Sequence, residues 1–81
     1  MKFFARDPYR TFVVARRVIV NLHDETTIAG YVTDAPPGVL VLRGAELLVS
    51  GAAPVSIAGE VLIDRADVSF IQVPPGTSKE Q

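Results

Sequence analysis

The sequence lacks cysteine and tryptophan and has a single histidine among its 81 residues. Without cysteine, no disulfide can stabilise the chain, and one histidine leaves too few ligands for a structural zinc site. A domain of this length buries only about 60–65% of the surface that its unfolded chain exposes. Such small domains usually depend on a disulfide, a metal or a partner chain. We therefore expect the protein to be stabilised by association with copies of itself.

Long apolar runs are also missing. No stretch approaches the roughly 20 apolar residues that cross a membrane, and residues 1–7 carry charges where a secretory signal has its apolar centre. The absence of cysteine fits a reducing compartment. We expect a soluble, cytoplasmic protein without a membrane partner.

Catalytic patterns are absent as well. The sequence has no glycine-rich phosphate loop, no nucleophile elbow and no acid pair with catalytic spacing. His23 lies in a predicted polar turn beside Asp24 and Glu25. Side chains in such turns are usually solvated or capping groups, although the two carboxylates could hold a cation weakly. The sequence therefore predicts a protein that is not an enzyme, with no metal site and no cofactor.

Charge is distributed unevenly along the chain. Residues 1–17 contain five basic side chains and one acidic side chain, whereas residues 18–81 contain three basic and eight acidic side chains. Arginine stems can cover apolar surface while their charged ends stay in water, and this interpretation is favoured. The alternative is a basic face directed at phosphate or at an acidic partner. The candidate nucleic-acid-binding residues are then Arg6, Arg10, Arg16 and Arg17.

Alternating apolar and polar residues predict an all-β fold. The five predicted strands span residues 17–22, 27–33, 39–49, 55–63 and 68–73. Two prolines interrupt the pattern at residues 34–38, and a bend or bulge is expected at Gly44. Gly30 in a strand centre indicates a sharp bend or the close approach of another backbone. The spacing is typical of a small, strongly bent, five-stranded barrel.

The segment before the first strand gives two readings. Asp7 followed by Pro8 is typical of a helix start, whereas the β-branched and aromatic residues 9–14 favour an extended arm. We divide the chain into an N-terminal arm or short helix over residues 1–17, a barrel over residues 18–73, and a disordered tail over residues 74–81.

The order of these elements resembles the Sm-like superfamily, which includes the eukaryotic Sm and Lsm proteins and bacterial Hfq. Two segments carry the resemblance, and it covers about two thirds of the chain. The first comprises Val18-Ile19-Val20-Asn21-Leu22-His23-Asp24-Glu25, Gly30-Tyr31-Val32, Asp34 and Val39-Leu40-Val41-Leu42. The second comprises Val61-Leu62-Ile63-Asp64-Arg65-Ala66-Asp67-Val68-Ser69-Phe70-Ile71. The resemblance implies an Sm-like barrel.

The same resemblance implies assembly into a homo-oligomeric ring. In Sm-like proteins the last two strands have free edges, each of which pairs with a neighbouring subunit. Residues 55–63 and 68–73 correspond to them here, unless Pro54 or Pro74 blocks one edge. The expected interface residues are Val61, Ile63, Val68, Phe70 and Ile71.

The chain departs from the family at the uridine pocket. The asparagine that reads the base falls at or near Val39, and the basic residue followed by glycine falls at Asp64-Arg65. The Tyr, Lys and His signature of Hfq is also missing. The resemblance therefore implies an Sm-like chain without the usual uridine site.

Two functions follow as expectations. The first is a non-enzymatic ring that acts as a scaffold or connector for other structural proteins, as a bacteriophage virion or accessory component would. The second is an RNA-binding ring that uses the basic N-terminal face.

Overall fold

The computed structural model describes residues 7–76, which form one short helix and six antiparallel strands. The elements are α1 (Pro8–Phe12), β1 (Arg17–Leu22), β2 (Thr27–Asp34), β3 (Val39–Leu48), β4 (Val55–Ile57), β5 (Val61–Asp64) and β6 (Val68–Gln72), with a 3₁₀ turn at Arg65–Asp67. The predicted all-β architecture with a short N-terminal helix is confirmed. No helix in this part of the chain is long and apolar enough to cross a membrane.

The strands form one strongly bent sheet in the order β4-β3-β2-β1-β6. The long strand β3 pairs with β2 along one side. Along its other side it pairs first with β5, through residues 39–42, and then with β4, through residues 45–47. The sheet therefore ends in two different edges, one formed by β6 and the other by β4 and β5.

The prediction of five strands was wrong by one, because the predicted strand 55–63 is interrupted. Gly59 adopts a φ of +79°, a left-handed conformation that cannot continue a strand. Residues 58–60 consequently separate β4 from β5. The break lets the two short strands follow the two halves of β3.

Two glycines produce the bend of the sheet. Gly44 has a φ of +57°, and the β2–β3 register shifts beside it, which is the expected bulge. A Cβ on Gly30 would lie 2.8 Å from Leu42 Cδ2 and 3.3 Å from the Ala45 Cα. The expected close approach of a second backbone at Gly30 is therefore present.

The core lies inside the bend. It is wholly apolar, and no polar side chain of residues 7–76 is buried. Its members are Val13, Val18, Val20, Ile28, Val32, Ala35, Leu40, Leu42, Ala45 and Ile63. The alternation of buried and exposed residues in β1 and β2 matches the period of two seen in the sequence.

The N-terminal segment is attached to the sheet through α1 and the turn that follows it. Asp7 caps the helix by accepting a hydrogen bond from the Tyr9 N–H at 3.1 Å. Beyond the helix, the Ala15 N–H donates to the Val32 carbonyl at 2.8 Å, and the Val32 N–H donates to the Arg16 carbonyl at 2.9 Å. These bonds fix α1 near the end of β2.

Candidate interaction site

The two free edges of the sheet expose large apolar side chains. On β5, Leu62 is 66% exposed, and on β4, Val55 is 53% exposed. On β6, Phe70 is 56% exposed. Unpaired strand edges attract further strands unless they are protected. Both edges therefore have the backbone groups and the apolar surface that a partner strand requires.

An open apolar groove runs between α1 and β6. Its volume is about 220 Å³, and it is lined by Pro8, Tyr9 and Phe12 of the helix and by Val68–Ile71 of the strand. Phe12 is 64% exposed at this groove. The groove lies directly beside the free edge of β6, so a strand added to that edge would place a side chain in it.

Arg65, in the turn between β5 and β6, connects this helix to the rest of the site. Its Nη1 and Nη2 atoms donate to the two carboxylate oxygens of Asp7 at 3.1 and 3.0 Å. Nη2 also donates to the Ala35 carbonyl at 2.6 Å, and Nε donates to the Val39 carbonyl at 3.2 Å. The guanidinium carbon lies 4.1 Å from the centre of the Tyr9 ring. We call this arrangement of Asp7, Tyr9 and Arg65 the clasp.

The clasp changes the acidity of its carboxylate. The hydrogen bonds from the Arg65 guanidinium are the main cause that lowers the pKa of Asp7 below its ordinary value of 3.8, and the Tyr9 N–H contributes further. The Arg65 side chain is 17% exposed and that of Asp7 31% exposed. The ion pair is thus better shielded from water than an ordinary surface pair.

Several solved structures resemble this arrangement of strands. The SmAP1 heptamer of P. aerophilum aligns with a TM-score of 0.75 at 25% identity, over 91% of this chain and 100% of that chain. A heptameric archaeal Sm protein aligns with a TM-score of 0.73 at 23% identity, over 85% of this chain and all of that chain. The chain has an Sm-like fold.

A third match comes from a different assembly. One chain of the NatC complex bound to CoA aligns with a TM-score of 0.71 at 18% identity, over 99% of this chain and 97% of that chain. No protein-family model and no curated protein matches the sequence. The assignment of the fold therefore rests on the structural likeness and on the sequence motifs.

The residues expected at the subunit interface of this Sm-like fold occupy different environments. Phe70 is exposed, whereas Val61, Val68 and Ile71 are half-buried against the core. Ile63 is buried within its own chain, so its side chain is not available to a partner. Whether these residues form the interface stays a prediction.

Sequence reasoning missed Leu62, one of the most exposed apolar side chains at the edges. The period of two along β5 places Leu62 on the face opposite Ile63 and was the signal available for it. The structure places Phe12, in the segment predicted as an arm or a short helix, exposed on α1.

The segments that correspond to the uridine pocket of Sm-like proteins are connected here by Arg65. Arg65 donates hydrogen bonds to the carbonyls of Ala35, at the start of the β2–β3 loop, and of Val39, the first residue of β3. Asp64, at the position of the family's basic residue, is exposed. The one basic residue in this turn is thus used within the chain.

Two of the four arginines of the predicted basic face form ion pairs with carboxylates in the structure. Arg10 Nη1 lies 3.0 Å from Asp34 Oδ1 and Arg17 Nη2 lies 3.6 Å from Glu46 Oε1. Arg16 has no ion pair with any residue in the range 7–76, and Arg6 lies outside the described residues. Nucleic-acid binding by these four arginines stays a prediction.

His23 is exposed in the β1–β2 turn, as expected. Its backbone N–H donates to the Asp67 carbonyl at 2.9 Å. A pocket of about 230 Å³ lies between His23, Asp24 and Asp67. Within residues 7–76, no group of three or more acidic, histidine or cysteine side chains is arranged to hold a metal ion.

Proposed function

We propose that this chain is a non-enzymatic Sm-like module that assembles with copies of itself into a ring and acts as a scaffold or connector. The observation that carries the proposal is the pair of different free edges, each with an exposed large apolar residue, Leu62 on one and Phe70 on the other. When β6 of one copy pairs with the β4–β5 edge of the next copy, one free edge of each kind remains at the two ends of the pair.

An interface that joins one surface of each copy to a different surface of the next copy is a head-to-tail interface. Such interfaces close into rings or continue as filaments. Two Sm-fold structures similar to this chain are heptamers, which supports closure over a filament. The use of Arg65 within the chain, where the family places its uridine pocket, supports a scaffold over a uridine-binding ring. The bacteriophage role and the cytoplasmic or virion location stay proposals that rest on the resemblance.

Native mass spectrometry of the purified full-length chain across a dilution series tests the assembly. We expect one discrete oligomer of several subunits that persists on dilution. A stable monomer at micromolar concentration would contradict the proposal. A ladder of sizes that grows with concentration would indicate a filament instead of a ring.

The second candidate is an RNA-binding ring that uses the basic N-terminal face, and the observation in its favour is Arg16, which pairs with no carboxylate of residues 7–76. Substituting Arg6, Arg10, Arg16 and Arg17 together by alanine is then expected to abolish binding of a short single-stranded RNA, measured by fluorescence anisotropy. The wild-type affinity should fall steeply with salt, because each phosphate contact releases a counterion. Equal binding by the fourfold variant and the wild type would exclude this function. Arg43→Ala removes an exposed arginine outside residues 1–17 and is the control, expected to bind as the wild type does.

A further inference from the structure

We propose that Arg65 is a positioning residue for assembly, because through Asp7 and Tyr9 it holds α1 in place as one wall of the groove that receives the neighbouring copy. The inference rests on the proposed ring assembly and assigns one residue outside the free edges a part in it.

α1 is too short to be stable on its own. It has five residues, and none of them is buried. Isolated helices of this length are unstable in water because the first turn is costly to form. The position of α1 must therefore come from tertiary contacts. Val13, directly after the helix, is buried in the core and holds the end of α1, and the clasp holds its start.

The clasp has the geometry of a strong ion pair. Arg65 makes two parallel hydrogen bonds to Asp7, the bidentate geometry in which charge-assisted pairs are strongest. Its remaining bonds, to the Ala35 and Val39 carbonyls, anchor the guanidinium to the sheet. The helix is thereby tied to the β2–β3 loop and to the start of β3 through one side chain.

Tyr9 connects the clasp to the groove. The Arg65 guanidinium lies over the Tyr9 ring, and Tyr9 also lines the groove beside β6. Phe12, one turn further along α1, lines the same groove and is exposed. A shift of α1 would move both aromatic side chains away from the β6 edge. Most of the protomer core would keep its packing, since α1 itself contributes only the partly buried Tyr9 to it and Val13, directly after the helix, stays anchored in the core.

The test compares the subunit dissociation constants of the full-length wild type and its variants by sedimentation velocity. We expect Arg65→Ala and Arg65→Lys to raise the constant about tenfold or more, because lysine cannot reproduce the planar fork. Asp7→Asn, which leaves the carbonyl bonds of Arg65, should have a smaller effect in the same direction. Arg17→Ala removes an exposed ion pair elsewhere on the sheet and is expected to leave the constant unchanged.

A second measurement separates positioning from loss of folding. The chain has no tryptophan, so Phe12→Trp introduces a single fluorescent reporter into the groove. Combining it with Arg65→Ala should shift the emission of the dilute protomer to longer wavelength, while the thermal melt of the sheet followed by circular dichroism stays cooperative. If Arg65→Ala does not fold, Arg65→Lys and Asp7→Asn decide the question.

The outcomes distinguish the two proposals. An oligomeric wild type whose dissociation constant is the same in the Arg65 and Asp7 variants would contradict the role of Arg65 and leave ring assembly intact. A monomeric wild type would contradict ring assembly, and the positioning role with it.

Discussion

At the scale of single residues, local sequence rules predicted the structure near each residue and missed contacts between distant ones. The cap at Asp7 followed from its position before Pro8, and the structure confirms it. The same carboxylate also binds Arg65, 58 positions away in the sequence. Sequence reasoning placed Arg65 where the Sm-like family has the glycine after its basic residue, and no local pattern indicates a partner at the other end of the chain.

The clasp makes stability depend on pH in the acid range. The folded-state pKa of Asp7 lies below 3.8, so the unfolded chain takes up the proton first. The stabilisation by Asp7 is therefore complete above that value and is lost as the pH falls through the lower folded pKa. Asp34, whose pKa is lowered chiefly by its hydrogen bond from Arg10, and Asp24, held low chiefly by the Thr26 N–H, act in the same direction.

We expect Asp7→Asn to lower the melting temperature at pH 7 and to make its decrease below pH 4 shallower. Arg65→Ala should have the same two effects, because without the guanidinium the pKa of Asp7 moves back toward its ordinary value. Thermal melts followed by circular dichroism between pH 2 and pH 7 measure both. Acid profiles of parallel slope in the variant and the wild type would show that the ion pair does not stabilise the folded state.

At the scale of elements, hydrophobic alternation located the strands, and backbone geometry determined where one of them breaks. The strands β1 and β2 begin at the predicted residues, as do β3 and β6, and their ends lie within one residue of the prediction. The break at Gly59 was missed because apolar residues resume at Val61 in a pattern that a single strand would also give. A glycine within a strand pattern indicates a bend or a break, as it did at Gly44, and at Gly59 that signal was not used.

Gly30 gives a test of the bend at this scale. Gly30→Ala should destabilise the fold by about 1–3 kcal/mol, since the added Cβ would meet the buried Leu42 side chain and the Ala45 backbone across the bulge. Chemical denaturation of the protomer measures the change. Adding Leu42→Ala to the same chain removes the side chain nearest to the new Cβ, so the two changes together should cost less than the sum of their separate costs. No loss in the single variant would show that the strands can separate at this point without cost.

At the scale of the whole molecule, the resemblance predicted the fold, while the candidate site needed the structure. The free edges followed from the expected order of strands. The groove did not, because it requires α1 to lie beside β6, two elements with more than 50 residues between them in the sequence.

The difference between the two edges predicts a specific complementation. Leu62→Asp should block the β5 edge and Phe70→Asp the β6 edge, and both side chains are exposed enough for the protomers to stay folded. Each variant alone should be monomeric. A mixture should form a dimer, because one intact edge of each kind remains. Size-exclusion chromatography with light scattering measures the three states. An edge that pairs with the same edge of another copy would instead give a dimer of one variant alone.

Because the two edges differ, mutations at an edge and mutations in the core should differ in dominance. A copy with one blocked edge still joins a growing assembly through its intact edge and then prevents closure, so an edge mutation would be dominant over a wild-type allele in the same cell. A core mutation, such as one at Leu40, removes the copy from the assembling pool by unfolding it. Such a mutation would be recessive, and the inheritance pattern of an allele would then report which part of the molecule it affects.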